Sequence, residues 1–279
     1  MTTESLVTAH YERPSLEAEL LSILTDCGFD SATLTAADLA SVDEFHIGGL
    51  EASEALAAQV EAHLDGQPVG ELLDIGCGIG GPARFFAGRL DCRVTGIDLT
   101  PSFVATAKGL TARVGLAERV RFQEASALDL PFAEGRFALA SLLHVGMNIA
   151  DKTRMIAEAH RVLRSGGLFA LYDVMRLSEA PLTYPLPWAA TPEASFPAGP
   201  EVYRQAFAAA GFSLLAERER GAFALDFFQR QRAKATQDGP EPSLAVIMGE
   251  TFLEKMGNLR SALAAGILAP VEMIARKEA

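Results

Sequence analysis

Basic charge is scarce in this sequence: 24 Lys and Arg stand against 36 Asp and Glu in 279 residues, a formal net charge of −12. A surface of that sign repels a phosphate backbone, so nucleic acid is not an expected partner. Long hydrophobic runs are missing too. No stretch approaches the ~20 uninterrupted apolar residues of a membrane span, so no membrane partner is expected. The first residues, Met1 to Pro14, carry Glu4, His10, Glu12 and Arg13 and lack the apolar core of a secretory leader. A cytoplasmic location is the expectation. Cysteine is rare: Cys27, Cys77 and Cys92 are an odd number with no Cys-x-x-Cys spacing. Neither a disulfide framework nor a zinc site is implied, and the three read as small buried hydrophobes. His10, His63 and His160 have no companions at ligand spacing, so no metal is expected. What the chain does have is apolar content, 49% against 22% charged. That is enough to build a core and excludes a disordered or fibrous protein.

The apolar residues fall into two regimes. Ser15 to Thr25 sets Leu16, Leu20 and Leu24 four apart behind Ser15 as an N-cap, and Glu51 to Leu64 shows the same spacing. Residues 1–66 are therefore expected to form an N-terminal helical cap. Residues 67–279 are expected to form the core, where strand-type runs alternate with helical ones. The runs are Glu71 to Ile75, Arg93 to Asp98, Val120 to Glu124, Phe137 to His144, Leu168 to Tyr172, Phe212 to Arg218 and Val271 to Arg276. Such alternation predicts an α/β fold, a mostly parallel sheet with crossover helices. The run from Phe137 to His144 is almost wholly apolar, as a central strand covered on both faces must be.

Connections are legible as well. Asp151 caps a helix carrying Met155, Ile156, Ala159, Val162 and Leu163 on one face, and Gly166-Gly167 is expected to end it before a strand starts at Leu168. Six of the fourteen prolines lie between Pro181 and Pro200, too many for a helix interior or a central strand. Residues 177–199 are expected to be an ordered lid, and residues 222–266 a helical insertion after the helix at Glu201 to Ala210.

The densest signal is Leu72-Leu73-Asp74-Ile75-Gly76-Cys77-Gly78-Ile79-Gly80-Gly81-Pro82: a strand, a glycine turn and a helix start with proline at the first helical position. Side chains there would keep a ligand away from backbone amides, and the helix N-terminus favours a negative group. The loop reads as the cradle of a nucleotide-like cofactor. Asp98 ends the next strand, where a carboxylate can accept both hydroxyls of a ribose. Gly76, Gly78 and Gly81 also satisfy G-x-G-x-x-G, so an NAD-linked oxidoreductase is an alternative on these residues.

The string LLDIGCGIGGPARFFA, followed by VTGIDLTPSFV, RVRFQEASALDLPF, RFALASLLHV and AHRVLRSGGLFALYDV, resembles the successive motifs of the class I S-adenosylmethionine-dependent methyltransferases over residues 68 to 176. GIGGPAR and the upstream Phe45 to Gly49 (FHIGG) resemble small-molecule enzymes of the sarcosine/dimethylglycine, phosphoethanolamine and tocopherol methyltransferase kind. The resemblance implies a Rossmann-like fold with a seven-stranded, mostly parallel sheet and helices on both faces. It implies S-adenosyl-L-methionine as methyl donor, S-adenosyl-L-homocysteine as product and a small-molecule acceptor, in a monomer or homodimer. Carried over by position, Gly76, Cys77, Gly78 and Gly80 would lie against the amino-acid end of the cofactor, with Asp74 near its ammonium. Asp98 would hold the ribose, Leu99 would pack on the adenine, and Ala127 and Leu143 would complete the pocket. Where the family usually has an acid after the third strand, this chain has Ser126, whose hydroxyl offers a weaker contact.

Three residues are candidates for the chemistry. His144, at the carboxyl end of the fourth strand, is a candidate base beside the transferring methyl. His46, in the FHIGG turn, and Tyr172, which with Asp173 ends the fifth strand, are expected to face the same crevice. His46 can equally cap the helix that starts near Glu51. Tyr184, Trp188 and Phe196 of the lid are expected to meet the acceptor, or else to pin a surface loop. Arg84 could pair with a carboxylate, but is expected rather to extend along its helix to solvent. A non-catalytic S-adenosylmethionine-binding regulator would share the same motifs.

Overall fold

A computed structural model describes residues 2–235, 245–249 and 251–278. Four helices precede the sheet: α1 (Thr3–Tyr11), α2 (Leu16–Asp26), α3 (Ala36–Asp43) and α4 (Gly49–His63). Helices α2 and α4 fall where the leucine spacing puts them. Helix α1 begins where the Thr2 side chain accepts from the Ser5 amide, and α3 begins in a capping box between Thr35 and Asp38.

The strands are β1 (Glu71–Ile75), β2 (Arg93–Asp98), β3 (Val120–Glu124), β4 (Phe137–Leu143), β5 (Leu163–Arg176), β6 (Phe212–Glu219) and β7 (Leu268–Lys277). They form one seven-stranded sheet in the order β3-β2-β1-β4-β5-β7-β6. The pairs β1–β2, β2–β3, β1–β4 and β4–β5 are parallel, whereas β7 runs antiparallel to both β5 and β6. The expected α/β class, seven strands and mostly parallel sheet are all present. Every residue of β4 is buried, as its place between β1 and β5 requires.

The crossover helices are α5 (Gly81–Arg89), α6 (Pro101–Arg113), α7 (Lys152–Val162) and α8 (Pro200–Ala210), followed by α9 (Gly221–Ala235), α10 (Ala245–Met248) and α11 (Phe252–Ala264). Alternate residues of β1 feed opposite faces. Leu73 and Ile75 pack with Met155 and Ile156 of α7 and Phe207 of α8, while Leu72 packs with Leu56 of α4 and Phe86 of α5. Residues 236–244 and 250 of the expected helical insertion lie outside the described residues. Within the expected lid, residues 192–194 form one 3-10 turn, and Leu186 bridges Ala189.

Two expectations are corrected. Helix α7 ends at Val162, four residues before the glycine pair, because Leu163 turns extended and pairs with Phe137. The register then jumps from Phe137–Leu163 to Leu139–Leu168, and Gly166 occupies that irregularity at φ +73°. The second correction is Arg84. It is buried, with Nη2 2.6 Å from Asp43 Oδ2, Nη1 donating to Thr111 Oγ1 at 2.7 Å and Nη2 donating to Ile79 O at 2.9 Å. Helix α3 lies on α5 at that point and supplies the partner that lets the charge be buried.

Candidate functional site

The carboxyl ends of β1, β2, β3 and β4 open into a cleft of about 1080 Å³, roofed by the N-terminal helices on one side and by α9, α10 and α11 on the other. This is where ligands bind in open α/β sheets. Its floor is the turn after β1. The amides of Gly76 and Cys77 both donate to Ile97 O at 2.8 Å, which folds the loop over the end of β2. Gly76 sits at φ +72°, and a Cβ there would come 2.3 Å from Val145 Cγ2, so only glycine fits. Asp98 Oδ2 accepts from the Gly78 amide at 3.0 Å and Oδ1 from the Thr100 amide at 2.9 Å. Each oxygen keeps a lone pair for a further donor, the arrangement a vicinal diol needs.

The structure brings most of the anticipated residues together. Gly76, Cys77, Gly78, Asp98, Leu99, Ser126, Ala127, Leu143, His144, His46 and Trp188 all line the cleft. Asp74, Gly80, Tyr172, Tyr184 and Phe196 are not among the lining residues. Asp74 lies just beneath the loop, where Oδ1 accepts from Ser141 Oγ at 2.8 Å while Oδ2 is buried with no hydrogen-bond partner. Burial raises its pKa to about 7. That orphaned oxygen suits a cation approaching from above. Gly80 faces away from the cleft, since a Cβ there would meet the Phe122 ring and Arg84. Cys77 is buried, and burial raises its thiol well above the usual range, which disfavours the thiolate.

His144 follows β4 directly and takes φ +53°, the left-handed region, which ends the strand and carries its ring to the cleft wall. The Ile47 amide donates to its Nδ1 at 3.4 Å, which assigns the proton of the neutral ring to Nε2. That Nε2 is buried without a partner in the protein. Burial, with His46 nearby, holds the pKa of His144 well below the usual imidazole range. The ring centroids of His46 and Tyr172 lie 6.0 Å and 4.9 Å from that of His144. Tyr172 donates to Ile47 O at 3.0 Å, so it fixes the turn that in turn holds His144.

His46 is tied inward. Its Nε2 lies 2.9 Å from Gly49 O and 3.2 Å from Ser53 Oγ, contacts with the first turns of α4. Burial lowers its pKa to about 4. Glu44 lies 3.5 Å from its Nδ1 and accepts from Ser53 Oγ at 3.0 Å, and burial raises this carboxyl well above its usual range.

The lid segment is packed. Trp188 is 2% exposed and donates from Nε1 to Ser195 Oγ at 2.9 Å, while Asn148 Nδ2 donates to Trp188 O at 2.9 Å and Ala194 O at 3.2 Å. Residues that sequence reasoning missed include Glu4, His10 and Tyr11 of α1 and Phe228, Met256 and Leu259 of α9 and α11, all at the cleft. No short motif marks them. Only α3 left a readable signal, the Thr35-x-x-Asp38 capping pair.

Residues 73–171 match a family model described as a methyltransferase domain. The chain is 40% identical over 95 residues to the ajmaline N-methyltransferase of Rauvolfia serpentina, covering 34% of this chain and 33% of that protein. It is 38% identical over 97 residues to the chloroplastic tocopherol O-methyltransferase of Arabidopsis thaliana, covering 35% and 28%. The match therefore spans about a third of the length of these relatives. In fold, the chain superposes on the geranyl diphosphate C-methyltransferase of Streptomyces coelicolor A3(2), solved with Mg2+, geranyl diphosphate and S-adenosyl-L-homocysteine. That superposition has a TM-score of 0.70 at 18% identity, covering 99% of this chain and 98% of the other. The antiparallel β7 between β5 and β6 also departs from the all-parallel sheet of dinucleotide-binding proteins. Residues 73–171 are thus similar to a methyltransferase domain, and the chain as a whole has the fold of that C-methyltransferase structure, the class I, Rossmann-like methyltransferase fold.

Proposed function

We propose that this chain is an S-adenosylmethionine-dependent methyltransferase acting on a small-molecule acceptor. The observation that carries this reading is the pair of carboxylates flanking the glycine turn. Asp98, braced by two backbone amides, fits a ribose, and Asp74, with its orphaned oxygen, fits the ammonium of an amino-acid tail. Gly76 and Gly78, both at positive φ, let the loop between these carboxylates turn tightly along the cleft floor. S-adenosylmethionine supplies a methyl group already activated on a sulfonium. The protein's task is then alignment and exclusion of water.

His144 lines the cleft just beyond the glycine turn, at the end of β4. With its proton on Nε2 and its basicity suppressed by burial, it donates a hydrogen bond to the acceptor and so orients it. Tyr172 and His46 serve as positioning residues, because both act through the 46–49 turn. The test is turnover: purified protein offered S-adenosylmethionine labelled in its methyl group and a metabolite mixture should release S-adenosylhomocysteine and label one acceptor class. Tight binding without any release would instead support the regulatory reading.

A further inference from the structure

The cleft is larger than the 300 to 1000 Å³ typical of a single small-ligand site, and its two halves differ in chemistry. The half over β1, β2 and β3 is polar and glycine-rich. The other half is walled by Ile47, Met147, Trp188, Phe228, Met256 and Leu259, which belong to one apolar cluster. Ile47 joins the halves, since its amide holds the His144 ring while its side chain belongs to that wall.

Each carboxylate that lines the cleft has at least one partner in the protein; the one buried oxygen among them without a hydrogen bond, Asp43 Oδ1, lies against Gly81 where α3 meets α5 rather than in the apolar half. Glu4 accepts from Ser126 at 2.5 Å and Asp43 from Arg84 at 2.6 Å, while Glu44 accepts from Ser53 at 3.0 Å and Glu51 from Arg230 at 2.9 Å. Asp98 holds the Gly78 and Thr100 amides, and Asp151 caps α7 by accepting from the Arg154 amide at 2.8 Å. The outer helices add cations to the lining, among them Arg232, Lys234 and Arg260. A cationic amine entering the apolar half would be desolvated with no free counter-charge and would pass these cations on the way.

We propose, building on the methyl-transfer reading, that the apolar half takes an uncharged acceptor with a sizeable apolar body that presents a single oxygen to Nε2 of His144. Apolar contact supplies the affinity, and the lone polar group at the junction sets the orientation. Small ammonium-bearing acceptors are excluded by the same wall.

The test uses 4-butyl-, 4-hexyl- and 4-octylphenol as probes, read through the fluorescence of Trp188, the single tryptophan. Titrations are run with and without saturating S-adenosylhomocysteine. The dissociation constant should fall by about fourfold for each methylene added while the chain stays in the pocket. Phe228→Ala and Met256→Ala, both half-buried on outer helices, should flatten that slope and leave S-adenosylhomocysteine affinity unchanged. Choline and dimethylglycine at millimolar concentration should not displace the phenols. A flat chain-length series, a slope unaltered in both variants, or choline binding more tightly than butylphenol would each overturn the proposal. Absence of S-adenosylhomocysteine binding alongside a steep phenol series would overturn the methyl-transfer reading and leave the apolar pocket standing.

Discussion

Ser126 Oγ donates a 2.5 Å hydrogen bond to Glu4 Oε1, so a hydroxyl just after β3 meets a carboxylate of the first helix across 122 residues of sequence. The same hydroxyl accepts from the Leu128 amide at 3.0 Å. Ser126 is thus engaged with the protein on both sides, whereas Asp98 is braced and keeps acceptor capacity to spare. Asp98→Ala should therefore weaken S-adenosylhomocysteine binding by about 2 to 3 kcal/mol, and Ser126→Ala by about 1 kcal/mol. Calorimetric titration of the two variants checks this, and equal losses would contradict the assignment of the ribose end to Asp98.

The assignment of the His144 proton to Nε2 gives a second expectation. If the ring donates to the acceptor, His144→Gln retains a donor and should keep turnover well above that of His144→Ala, whose loss should be near tenfold. A base at this position would instead cost on the order of 10² to 10⁴ in both variants. Turnover and cofactor affinity, measured on the same preparations, separate the two.

Asp74, if it meets the ligand's ammonium as proposed, should make binding pH-dependent. Its folded pKa, about 7, lies above the ordinary value of 3.8, so the carboxyl is mostly neutral at pH 6 and mostly ionised at pH 8. Affinity for a ligand with an ammonium should rise with pH across that window, by about tenfold. S-adenosylhomocysteine should show the rise, while methylthioadenosine, which lacks the amino-acid tail, should not. Asp74→Asn should abolish the difference between the two ligands. A parallel pH dependence for both in the wild type would remove Asp74 from the ammonium site.

The Asp43–Arg84 pair predicts a stability effect. Both side chains are 1% exposed, and α3 and α5 meet there. Asp43→Asn or Arg84→Met alone strands a buried group and should cost about 3 to 5 kcal/mol in urea unfolding. The double substitution should recover much of that loss. Additive losses would show that the two residues act separately.

Much of this was readable from the chain because it depends on local patterning. The run Phe137 to Leu143 announces a buried central strand, and the glycine turn with Asp98 marks the floor of the cleft. The parts that were not legible arise from long-range packing. Arg84 looked like a surface residue until α3 covered it, and no pattern near Leu163 tells that it pairs with Phe137 rather than ending a helix. The apolar half of the cleft joins residues as distant as Ile47 and Met256, whose meeting only the fold determines.

The central claim is that the cleft over β1 and β2 holds S-adenosylmethionine. Calorimetric titration of the purified chain with S-adenosylhomocysteine and, separately, with NAD tests it most directly. One S-adenosylhomocysteine should bind per chain, weakened at least tenfold by Asp98→Ala, and NAD should give no heat. Saturable NAD binding with no response to S-adenosylhomocysteine would contradict it.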